Sequence, residues 1–171
     1  MTMVMAKISK AKTRGVPFKL HAKGLVGTKV IQQEGSNQII RVRVASTFGC
    51  EDDYPNPMAY VLSALIACYK ITAQLVAKDL GAELFGFEFN LNIDGDATIL
   101  VQGAKEGNPN FQNLQIRVVV ETDISDELFE KFRLETERRF PISPLCYRSG
   151  VNLTSYWSIR RPNTPLFWWT D

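Results

Sequence analysis

The residues best suited to chemistry in this 171-residue chain are its three cysteines, Cys50, Cys68 and Cys146. A cysteine attacks as the thiolate, so it needs a nearby cation; to act as a reductant it also needs a second thiol to resolve it. The three are odd in number, widely spaced and without a CxxC pair, which argues against a disulfide framework and for a reducing, cytoplasmic setting. The one histidine, His21, rules out HExxH and any His-rich metal site. It alternates with Phe18 and Leu20 and so faces solvent on the opposite side of a strand. Asn90-x-Asn92-x-Asp94-Gly95 begins like a calcium loop, but Val101 stands at the twelfth position and a strand precedes it. There is no glycine-rich nucleotide fingerprint. No metal and no cofactor are expected.

Cys68 must be positioned by the strongest helix in the sequence. Asn56 is a natural N-cap and Pro57 a natural first residue; no Gly or Pro follows until Gly81, where a helix-ending glycine belongs. Lys70, Gln74 and Lys78 form a narrow polar stripe on this helix, Met58 to Leu80, and the rest is apolar nearly all round. Such a helix is buried on most sides, and Cys68, about 200° from Lys70 on the wheel, points into protein.

Strands surround it. Val16 to Ala22, Thr28 to Gln33 and Ile40 to Val44 read as an antiparallel meander punctuated by Gly24, Gly27 and Gly35-Ser36-Asn37. Phe85 to Ile93 alternates with an aromatic face, and Asp94-Gly95 reads as a hairpin turn. Leu114 to Val120 is a further strand. A second helix runs from Ser125 to Arg139, with Glu127–Lys131 and Glu135–Arg139 spaced to pair. Phe140-Pro141-Ile142-Ser143-Pro144 then breaks it and opens a short third helix, before a last strand over Val151 to Ile159. The order is α+β, a mostly antiparallel sheet packed on a long buried helix.

Length, 45% hydrophobic and 22% charged residues suit one soluble globular domain over residues 16–160. The apolar run Met58 to Tyr69 is too short for a membrane span, and no signal peptide is expected. The net charge is +2, with Lys7, Lys10, Lys12 and Arg14 in a basic arm over residues 1–15. That arm reads as solvated, and nucleic acid is not expected as a partner. Residues 161–171 form a tail with Trp168 and Trp169, expected to pack on the core or a partner subunit.

The run from Asn56-Pro57-Met58 to Ala67-Cys68 resembles the opening of the central helix in the OsmC/Ohr family, the osmotically inducible and organic hydroperoxide resistance proteins. Phe111-Gln112-Asn113-Leu114, Glu121-Thr122-Asp123 and the helix running into Arg139-Phe140-Pro141-Ile142 are similar to it as well. The resemblance implies an intertwined homodimer with two long helices at its centre and active sites at the subunit interface. It also implies thiol-dependent reduction of organic hydroperoxides, in which a thiolate takes the peroxide oxygen as a sulfenic acid that a second thiol resolves. Cys68 matches the peroxidatic position. Met58 stands where the family has a Glu and Phe140 where it has the resolving Cys; no Arg lies between Arg14 and Arg41. Lys23 or Lys29 would replace the Arg that stabilises the thiolate, and Cys146 is the remaining candidate for a resolving thiol. The alternative is a non-catalytic member that binds an apolar small molecule at the dimer interface, with Met58 and Phe140 lining the pocket.

Overall fold

The computed structural model describes residues 21–23, 30–34, 39–42, 54–96 and 98–162. The chain divides into two compact units, Met1–Pro57 and Met58–Asp171. The basic arm, Cys50, Lys29, Trp168, Trp169 and the turns expected in the first unit lie outside the described residues.

In the first unit, β1 (His21–Lys23), β2 (Val30–Glu34) and β3 (Ile39–Arg41) pair antiparallel in that order, the expected meander.

The second unit is built on α1 (Pro57–Leu80). Gly81 takes φ 65°, a left-handed conformation that costs glycine little; its N–H donates to the Lys78 carbonyl and that of Ala82 to Ala77. This paired arrangement closes the helix at the expected residue. Next come β4 (Gly86–Gly95), α2 (Thr98–Gln102), β5 (Phe111–Glu121), α3 (Asp126–Arg139), α4 (Ile142–Arg148) and β6 (Asn152–Arg160). Ser125 caps α3, its hydroxyl oxygen accepting from the Leu128 N–H at 3.2 Å. Pro141 directly precedes α4, the short third helix.

β5 is the central strand of its sheet. It pairs antiparallel with β4 and parallel with β6. Leu114, Ile116, Val118 and Val120 of β5 are at most 1% exposed and form the floor of the core. Tyr69, Ala73 and Val76 of α1 and Phe129 and Phe132 of α3 complete that core, with Phe87 and Phe89 of β4 packed at its edge.

Two local expectations change, the turn at Asp94-Gly95 and one ion pair on α3. Asp94-Gly95 is not a tight hairpin: Gly95 still pairs with Phe111, and the connection carries α2, whose Thr98 N–H donates to Asp96 at 2.8 Å. β6 runs parallel to β5 because two helices intervene and return the chain to the starting end of the sheet. On α3, Glu135 pairs with Arg139 at 2.7 Å as expected, but Glu127 and Lys131 do not pair; Arg133 instead joins Glu130 and Glu137. Arg139 also reaches Asp79 at 2.5 Å, tying α3 to α1.

α1 is covered on one side only. Within one chain a single face is buried: Leu65, Tyr69, Thr72, Ala73, Val76 and Ala77. Val61, Ile71 and Leu75 remain 50–58% exposed. The helix is also longer than the apolar run it contains, and by length and composition alone it would cross a membrane, with a mean hydropathy of 1.5 in its best window. Its packing is that of a core helix, with Tyr69 set among Phe89, Phe140 and Trp157.

Candidate functional site

Cys68 lies midway along α1, half-buried against the core, and its carbonyl accepts from the Thr72 hydroxyl at 2.9 Å. Met58 lies on the first turn of the helix and is 43% exposed. Ten residues of helix place it about 15 Å along the axis from Cys68.

Phe140 ends α3 and is 1% exposed. Its ring centroid lies 4.0 Å from that of Tyr69, the residue after Cys68. The fold therefore brings position 140 against the same turn of α1 that carries Cys68, but what it delivers is a packed phenyl ring. Cys146 sits on α4, half-buried against the same core, and burial pushes its thiol up from the ordinary value. Cys68 and Cys146 are both free thiols. Lys23 is exposed on β1, in the first unit.

The second unit holds polar residues that sequence reasoning missed. Glu137 of α3 accepts from the Ser155 hydroxyl, from the Trp157 indole N–H at 3.1 Å and from Arg133 at 2.8 Å. Tyr69 lies beside this carboxylate, and burial first, the Glu137 charge second, push its phenol up to about 12. The signal was faint. Arg133 and Glu137 are spaced i, i+4 on α3, while Ser155 and Trp157 share a face of β6 two residues apart.

A pH dependence follows from Tyr69. Its pKa is raised on folding, so its contribution to stability is complete below the ordinary value of 10.0 and is lost as pH rises through about 12. Ultraviolet titration should show one of the five tyrosines ionising last, near pH 12, and Tyr69→Phe should remove that step. A Tyr69→Phe protein that titrates like wild type would contradict the buried phenol.

A groove of about 480 Å³ runs between α1 and the β4 edge. Ile66, Phe85, Phe87 and Phe89 give it an apolar wall, and Lys70 and Lys78 stand on the helix side.

Residues 50–155 match the family model described as "OsmC-like protein", which covers more than half of the chain. The chain belongs to the OsmC-like family. Solved structures agree on the fold of this OsmC-like chain. An OsmC-like protein from Mycoplasma pneumoniae superposes with a TM-score of 0.67 at 14% identity, covering 85% of this chain and 99% of that one. An organic hydroperoxide resistance protein from Legionella pneumophila gives 0.63 at 16% identity, covering 84% and 99%. A putative organic hydroperoxide resistance protein from Vibrio cholerae, with captopril bound in one of its active sites, gives 0.60 at 15% identity, covering 86% and 95%. No match was found among curated proteins. The α+β fold with its long central helix is thus the OsmC-like fold, as the sequence implied.

Proposed function

We propose that this chain is a cytoplasmic, homodimeric OsmC-like protein that binds an apolar small molecule and has lost the two-thiol turnover of organic hydroperoxides. The observation that carries this reading is Phe140: the family's resolving position is filled by a fully buried ring packed at a tilt against Tyr69. Met58 supplies no carboxylate where the family has its Glu. Cys146 is held by burial in its less nucleophilic thiol form, which disfavours it as a substitute. The aromatic wall of the α1–β4 groove offers apolar surface for a ligand. The captopril bound to the Vibrio cholerae protein is in keeping with small-molecule occupancy in this fold.

The competing reading is retained hydroperoxide reduction. Cys68 favours it, since it stands at the peroxidatic position, and so does the description of similar structures as organic hydroperoxide resistance proteins. One experiment separates the two. Wild type and Cys68→Ser are mixed with an alkyl hydroperoxide and a dithiol reductant, and peroxide loss is followed together with intact mass. The expected result is no catalytic difference between the proteins and no intramolecular disulfide. Turnover that depends on Cys68, with a Cys68–Cys146 bridge, would show that the peroxidase has been rebuilt from other residues. Lys23 and Lys29 would then be the first to mutate as thiolate partners.

A further inference from the structure

A second cavity, of about 400 Å³, opens between α1, α3, α4 and β6, and Cys68 is not part of its lining. Its charged walls are Arg133 and Glu137. Arg133 is already committed: Nε and Nη2 bind Glu130 at 2.9 and 2.6 Å, and Nη1 binds Glu137 at 2.8 Å. One guanidinium thus faces two carboxylates, a local charge that disfavours an anion and favours a cation. Glu137 accepts three hydrogen bonds and has room for a fourth, since a carboxylate offers about four lone-pair sites. Ser143, Tyr147 and Thr154 line the same space. Tyr147 supplies aromatic surface, exposed at the α4 side. The cavity's volume falls within the roughly 300–1,000 Å³ of small-molecule pockets.

We propose that this cavity is a binding site for a small organic amine, whose ammonium group donates to Glu137 while its carbon skeleton lies against Tyr147. An ammonium supplies the charge that the two carboxylates leave uncompensated, and aromatic faces attract cations. The neutral Tyr69 phenol closes the inner wall without adding charge. A carboxylate ligand would meet Glu137 with like charge and be rejected.

The test is calorimetric titration of the full chain with three probes of one shape: 2-phenylethylamine, 2-phenylethanol and phenylacetate. The amine should bind about tenfold or more tighter than the alcohol, and the acid should not bind. Glu137→Gln should abolish that preference. Because Glu137 also ties α3 to β6, Tyr147→Ala on the exposed side of α4 serves as a second variant, and it should weaken the amine while leaving the melting temperature unchanged. Should Glu137→Gln fail to fold, Tyr147→Ala and the three-probe ranking decide. Equal affinity for the three probes, no amine binding, or amine binding unchanged in either folded variant overturns the proposal.

Discussion

Phe140→Ala lowers the unfolding free energy by about 3–5 kcal/mol, the range for removing a fully buried aromatic ring. The ring is 1% exposed and closes on Tyr69 at 4.0 Å, and Phe132 and Trp157 belong to the same cluster. Its position just before Pro141, between α3 and α4, leaves little room to collapse into the void. Phe140→Cys, which restores the family's thiol, loses most of the same packing and should cost nearly as much. Urea titration with an unchanged slope measures both. Leu145→Ala on α4, 67% exposed, is the control and should stay within about 0.5 kcal/mol of wild type. A loss below about 1 kcal/mol for Phe140→Ala would mean that the ring is not the packed stop described here.

Sedimentation of the wild-type chain at micromolar concentration should return a dimer, and the double variant Ile71→Lys, Leu75→Lys a monomer. Val61, Ala64, Cys68, Ile71 and Leu75 alternate by three and four residues on α1, the spacing of a helix–helix seam. Ile71 and Leu75 are 58% and 56% exposed in one chain, a large apolar surface to leave in water. Burying one such side chain is worth about 1.5–3 kcal/mol, and a twofold interface counts every substitution twice. The pair of lysines should therefore weaken association by at least about 10⁴-fold. Gln74→Lys, outside the seam and already exposed, should leave the dimer intact. A monomeric wild type would remove the proposed homodimer; a double variant that remains dimeric would place the interface elsewhere.

Local pattern carried much of the fold. The bounds of α1 follow from Pro57 and Gly81, because a proline at the first turn and a left-handed glycine after the last are decided within a few residues. The alternation in β5 placed Leu114, Ile116, Val118 and Val120 in the core, since a period of two assigns one face of a strand wherever the strand lies. The position of Cys68 on its helix was legible for the same reason. What the helix meets was not.

Tertiary structure decided which faces found cover and which charges found partners. The narrow polar stripe marks α1 as a helix that needs cover on most sides; one chain covers a single face, and hydrophobicity alone does not say what supplies the rest. The direction of β6 depended on the path of α3 and α4 over the sheet, which no short window encodes. Asp94-Gly95 has turn composition, yet the ladder continues to Phe111, because pairing across the strands outweighs a local turn preference. Nothing in the sequence of α3 singles out Glu137; only the arrival of Ser155 and Trp157 from eighteen and twenty residues away makes it the acceptor of a partly buried network. Sequence assigns each residue a chemistry and a face, while long-range packing sets its neighbours, and those neighbours decide whether a thiol is resolved or a carboxylate can hold a ligand.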